Sequence, residues 1–150
     1  MTAYFVDTSA LAKRYISETG STWTRSWLHI HTGNVILVSE LVRVEMFSLL
    51  HRYQRMGTFS NTSVGRMKNT FLHHLQFEYS IVTLDSLLII EAADLTIQHP
   101  LHTLDSVQLA CGLVAARSIK QQITFVSADN NLLNAANAEG LTTDNPNLHP

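Results

Sequence analysis

A chain of 150 residues, 45% hydrophobic and 15% charged, is long enough to bury one sizeable core without metal or disulfide staples, and its composition is that of an ordinary soluble globular protein. Cys111 is the only cysteine, which excludes an intrachain disulfide and a cysteine-based zinc site. A net charge of −2 argues against a protein that coats nucleic acid non-specifically. The N-terminus MTAYFVDTSA has no apolar signal region, and no stretch approaches the ~20 apolar residues of a membrane span, so the expected location is the cytoplasm with no membrane association.

The chain alternates strand with helix. AYFV at 3–6 is a short apolar run and reads as a first strand. Residues 8–16 and 21–31 carry helical patterns, split by the ETG break at 18–20. NVILV at 34–38 is rich in β-branched residues and reads as a second strand. Ser39 is placed to cap the next helix, with Glu40 in its first turn. That helix runs to about Met56 and stops at Gly57, with Val42, Met46, Leu49, Leu50 and Tyr53 at helical spacing. Ser60 opens a further helix that ends near Glu78, and SIVT at 80–83 is a third strand.

A helix from Asp85 to about Gln98 is broken at His99-Pro100. Thr103 caps the next, in which Leu104, Val107, Cys111 and Val114 keep the helical period, while Ala110, Gly112, Ala115 and Ala116 are small enough for close approach to a neighbour. ITFV at 123–126 is a fourth strand, 129–138 a short helix stopped at Gly140, and LTT at 141–143 a fifth strand. Short strands alternating with helices imply a three-layer α/β/α sandwich, with a central parallel sheet of four to five short strands, in one domain spanning 1–150.

Charge is unevenly spread. Residues 1–75 hold eight of the ten Lys and Arg and four acids; residues 76–150 hold two basic residues and eight acids, so the halves carry +4 and −6. A folded domain can turn that asymmetry into one basic face.

Open parallel sheets bind ligands beyond the carboxyl ends of their strands. Asp7, Asp85 and Asp129 each leave a strand at that edge, and each is also a good helix N-cap. The tetrapeptide TLDS occurs twice, at 83–86 and 103–106, giving Asp85 and Asp105 identical immediate neighbours. Strand-edge logic alone favours Asp85, because Asp105 follows a loop. Glu45 is odd in another way: its i±4 neighbours are Leu41 and Leu49, so it interrupts an apolar stripe. A glutamate there is either paired, with Arg52 as the obvious partner, or turned into a site. Glu40 is the competing acid, and a first-turn position gives it a sufficient structural role.

Four stretches in order, FVDTSALAKRY, SELVRVEMFSLL, HTLDSVQLACGLVA and TFVSADNNLLNAANAEGL, resemble the PIN-domain ribonucleases, in particular the small VapC-type toxins, over essentially the whole chain. The resemblance reverses the local preference between the two TLDS copies. The family's leucine–aspartate pair opens the small-residue helix, which is Asp105; Asp85 becomes a helix cap. By the same resemblance Asp7, Glu45, Asp105 and Asp129 are the catalytic and metal-binding acids. Asp7 and Asp105 are the nearest ligands, and Glu45 and Asp129 act through bound water or a second ion. Thr8 and Ser9 match polar positions beside the first acid, where their hydroxyls orient Asp7 or a phosphate or simply cap the helix, and Ser127 carries the same two readings; Lys13 and Arg14 lie one to two turns beyond Asp7, placed for phosphate contact or, at least as well, on a solvated helix face. Asn130 and Asn131 stand where some relatives place a further acid, which weakens any second metal.

Clustered carboxylates need a counter-charge. Two unit charges about 4 Å apart repel by roughly 4 kcal/mol at an effective dielectric near 20. A divalent cation turns that repulsion into attraction. Mg2+ suits oxygen ligands and often takes only one or two carboxylates directly, and Mn2+ is the alternative. The implied reaction is hydrolysis of RNA phosphodiester bonds, assisted by the metal, leaving a 3′-hydroxyl and a 5′-phosphate. The resemblance further implies a homodimer and a small antitoxin whose tail blocks the acidic pocket; Phe47, Phe71 and Leu75 belong to that dimer interface or to the core.

Two other readings compete. One is a catalytically weak PIN-like module that binds RNA or protein without cutting. The other is a haloacid-dehalogenase-like phosphatase, which expects a second aspartate two residues after the first, where this chain has Ser9. None of the eight histidines shows the i, i+4 spacing of a helical zinc pair. His99 and His102 read as loop residues flanking Pro100.

Overall fold

The computed structural model describes all of residues 1–150. Five strands, β1 (Ala3–Val6), β2 (Val35–Ser39), β3 (Ser80–Val82), β4 (Ile123–Val126) and β5 (Thr142–Asp144), form one parallel sheet in the order β3-β2-β1-β4-β5. Between them lie seven helices: α1 (Thr8–Tyr15), α2 (Ser21–Leu28), α3 (Val42–Arg55), α4 (Asn61–Phe77), α5 (Ser86–Gln98), α6 (Thr103–Ile119) and α7 (Asn130–Ala138). The chain steps from β1 outward to β3, then returns to the far side of β1 as β4 and β5. With one hand of crossover throughout, reversing direction along the sheet forces the helices onto the opposite face.

The core shows this. On β1, Tyr4 and Val6 face one side and Ala3 and Phe5 the other. Val6, Ile36, Val38 and Val126 pack against α1–α4 through Leu11, Leu28, Met46, Leu50 and Phe71. Ala3, Phe5, Leu37, Ile123 and Phe125 pack against α5–α7 through Leu88, Leu95, Leu109 and Leu132. The α/β/α sandwich expected from the alternation is the observed fold. The small residues of α6 do what their size permits: a Cβ on Gly112 would stand 2.6 Å from the Phe125 ring.

Boundaries differ at two points that matter. The helix expected from Glu40 begins at Val42. β2 stays paired with β3 through Ser39↔Val82, and the Glu40 amide donates to the Val82 carbonyl at 3.0 Å, holding the backbone extended. Ser39 Oγ accepts from the Leu41 amide (3.1 Å), and Glu40 Oε2 accepts from the Leu84 amide (2.9 Å), pinning the loop after β3. The acid in the first turn of α3 is therefore Glu45. Likewise α6 starts at Thr103 with His102 in the cap position and no side-chain cap.

Phe71 and Leu75 are core residues, buried to 0% and 4% exposure. Phe47 is half-buried against Phe71.

The eight basic residues of the N-terminal half all lie in the α1–α4 layer. Arg43, Arg52, Arg55 and Arg66 are exposed there. Acids dominate the α5–α7 side, where Arg117 is the one cation within a helix and pairs with Glu91 at 2.7 Å.

Candidate active site

The sheet order places a crevice beyond the carboxyl ends of β1 and β4, where the direction of the chain reverses. Asp7 leaves β1 into this crevice and caps α1, accepting from the Ala10 amide at 3.1 Å. It is 5% exposed. Ser9 Oγ donates to its Oδ1 at 2.7 Å, and Ser127 Oγ, just past β4, donates to its Oδ2 at 2.9 Å. Burial outweighs these donors and pushes the Asp7 carboxyl up to about 6, with the Glu45 charge adding to the rise.

Asp129 follows β4 and caps α7, taking the Asn131 and Leu132 amides on Oδ1 (2.9 and 3.3 Å). Its own amide donates to Ser127 Oγ (3.0 Å), so one hydroxyl joins the turn holding Asp129 to the carboxylate of Asp7. Asp105 stands in the first turn of α6. Partial burial raises its pKa; the charges of Asp129 and Glu45 raise it further, and His102 opposes them.

Glu45 is reached from both sides. Thr8 Oγ1 donates to its Oε1 at 2.9 Å and Gln108 Nε2 donates to the same oxygen at 2.7 Å. No ion pair to Arg52 forms; Arg52 is exposed to solvent.

Glu45 thus raises the pKa of both Asp7 and Asp105, and Asp129 raises that of Asp105, while no lysine or arginine forms an ion pair with any of the four acids. Hard carboxylate oxygens with unbalanced charge suit Mg2+ or Mn2+. As the side chains stand, no three His, Cys, Asp or Glu groups converge closely enough to ligate one ion. A Mg2+ that takes one or two carboxylates directly, and reaches the rest through water, does not require such convergence.

The other candidates divide. Thr8, Ser9 and Ser127 lie in the crevice as carboxylate donors. Lys13 and Arg14 are held elsewhere. Lys13 is buried and donates to Glu18 Oε1 (3.1 Å) and the Thr19 carbonyl (2.8 Å). Arg14 is tied to Glu78 (2.8 Å) and the Tyr79 hydroxyl (2.7 Å). Their position one to two turns beyond Asp7 is correct, but these local partners consume both charges. Asn130 and Asn131 are similarly engaged: Asn130 Oδ1 accepts from Asn145 Nδ2 (2.9 Å), and Asn131 Nδ2 donates to the Pro100 carbonyl (2.8 Å).

Asp85 caps α5 through the Leu88 amide at 2.9 Å. It follows β3, an edge strand two strand spacings from β1, or about 10 Å. His99 bonds Glu139 (2.9 Å) as a loop residue. Cys111 is buried and its thiol is pushed up to about 11, which leaves no thiolate for nucleophilic chemistry.

Sequence reasoning missed Gln108. Its signal was available: it lies three residues after Asp105, on the same helical face, and is the one amide in the run Val107–Ala116.

The PIN-domain family model matches residues 4–138. Ribonuclease VapC47 of Mycobacterium tuberculosis is 32% identical over 145 residues, covering 95% of this chain and 96% of that protein. Among solved structures, PAE2754 from Pyrobaculum aerophilum superposes with a TM-score of 0.66 at 18% identity, over 95% of this chain and 83% of that one. VapBC2 from Rickettsia felis, bound to a DNA fragment from its promoter, gives 0.64 at 12% identity over 96% and 98%. FitAcB from Neisseria gonorrhoeae gives 0.62 at 14% over 95% and 97%. The chain belongs to the PIN-domain family, and within it to the VapC-type proteins.

Proposed function

We propose that residues 1–150 form one metal-dependent endoribonuclease domain, the toxin of a type II toxin–antitoxin pair, acting in the cytoplasm. The observation that carries this reading is the carboxylate crevice: four acids from the end of β1, α3, α6 and the β4–α7 turn, with two serines, a threonine and a glutamine to orient them and no lysine or arginine paired with them. Asp7 and Asp105 would hold a Mg2+ or Mn2+ ion most directly, with Glu45 and Asp129 reaching it through water. Bound there, the ion supplies positive charge to the phosphodiester and eases the ionisation of attacking water. The chain's own contribution is orientation. Ser9 and Ser127 fix both oxygens of Asp7, Thr8 fixes Glu45, and the Asp129 cap is locked by two amides of α7.

Two partners complete the proposal. A crevice of this charge is complementary to a basic side chain, which is how a small antitoxin would block it. Self-association is supported by α5, which leaves Leu87, Ile90 and Ile97 exposed on one face, grouped around the exposed Asp94.

The test is cleavage of mixed RNA by the purified chain. Mg2+ or Mn2+ should support cleavage to 3′-hydroxyl and 5′-phosphate ends, and a chelator should stop it. Asp105→Asn should lower the rate by on the order of 100-fold or more, whereas Asp85→Asn, which preserves a good cap, should leave it unchanged. Equal activity in the two variants refutes the assignment. The lack of three-fold convergence among the side chains favours one alternative, a module that binds RNA without cutting. RNA retention with no metal-dependent products, in the parent and in Asp7→Asn alike, identifies that outcome.

A further inference from the structure

Gln108 is the residue of this crevice whose hydrogen bonding the fold leaves incomplete. It is 2% exposed. Its Nε2 donates to Glu45 Oε1 at 2.7 Å and, more weakly, towards Thr8 Oγ1 at 3.4 Å. Charge dictates this orientation of the amide, since the reverse would set a carbonyl oxygen against a carboxylate. Oε1 is thereby turned to the other side, where it is buried with no partner. Glu45 Oε2 is also left without a donor, because Thr8 and Gln108 both address Oε1.

Buried amide oxygens are rarely left unpaired, and in a polar crevice the usual partner is water. A side chain serving only to fill the core beneath Glu45 would be apolar, as Val107, Leu109, Ala110 and Cys111 beside it are. Helical spacing also sets Gln108 one turn below Asp105, so it joins the face that carries one acid to the side chain of another.

We propose that Gln108 is a positioning residue: with Thr8 it fixes Glu45 through Oε1, leaves Oε2 for the crevice, and offers its own Oε1 to a water in the hydration shell of a divalent cation. The inference rests on the nuclease reading and deepens it. Outer-shell contacts of this kind typically change metal affinity by about 10–100-fold.

Mn2+ binding to the metal-free protein, followed by the EPR signal of free Mn2+, reads this positioning without RNA. Gln108→Met keeps the volume and removes both amide functions; Thr8→Val removes the hydroxyl, and Thr8→Ser keeps it. Q108M and T8V should each weaken Mn2+ binding roughly tenfold or more, with thermal midpoints close to the parent's. T8S should bind as the parent does. In cleavage, kcat should fall in Q108M while KM for RNA holds. Parent-like Mn2+ binding by Q108M overturns the proposal. So does a loss of binding in Q108M that tracks its loss of folded protein while T8V binds normally. A parent chain that neither binds Mn2+ nor cleaves RNA defeats the nuclease reading itself, an outcome separate from the failure of Q108M alone.

Discussion

At the scale of single residues, Asp7 is held in a place that disfavours its own charge. Burial raises its folded pKa to about 6, against 3.8 for an exposed aspartate. Between those values the folded protein keeps a proton that the unfolded chain releases. The stabilisation from this group is full below about pH 4 and is lost as pH rises through 6. Near pH 7.5, without metal, the ionised buried carboxylate costs about 3 kcal/mol. Asp7→Asn removes that cost while keeping a residue that caps helices well. In chelator at pH 7.5 the thermal midpoint of D7N should therefore exceed the parent's by on the order of 5 °C, and the gain should shrink at pH 4.5. A calorimetric scan at both pH values checks this; a midpoint at or below the parent's at pH 7.5 refutes it. Inactivation accompanied by stabilisation would mark Asp7 as kept for chemistry rather than for folding.

At the scale of elements, the two TLDS copies show what local sequence conveys and what it cannot. Both aspartates lie at helix starts, and the shared tetrapeptide itself does not tell them apart. The difference is tertiary: α5 begins beyond the edge strand β3, whereas α6 begins beside the crevice at the centre of the sheet. The strands and helices were legible because each carries its own period, and Asp7 and Asp129 because they follow strands. Asp105 was reached through family resemblance, and Gln108 was passed over because a buried amide has no pattern of its own. For Lys13 and Arg14, sequence does not reveal the ion pairs with Glu18 and Glu78 that the fold supplies. The α5 stripe yields its own prediction. Leu87 and Ile97 are 78% and 84% exposed, a poor arrangement for a solitary surface. The parent should sediment as a dimer, and Leu87→Glu combined with Ile97→Glu as a folded monomer; parent and variant sedimenting alike would remove α5 from the interface.

At the scale of the whole molecule, the sheet divides the charge as well as the core. The α1–α4 side carries all the exposed arginines but Arg117, the α5–α7 side and its flanking turns seven of the twelve acids, and the carboxylate crevice opens at the rim between them. A net charge of −2 conceals this separation. If the arginine side guides RNA, KM for cleavage should rise roughly tenfold between 50 and 200 mM salt, because each phosphate contact releases counterions. Reversing Arg52 and Arg55 to glutamate should flatten that dependence while kcat stays level. A salt-independent KM in the parent would deny the layer any such part. The division also has a vectorial meaning. A molecule with positive and negative flanks is an electric dipole, and a polyanion drifting near it experiences torque as well as attraction. Orientation is then selected in solution, ahead of collision, so few encounters are wasted on the acidic flank.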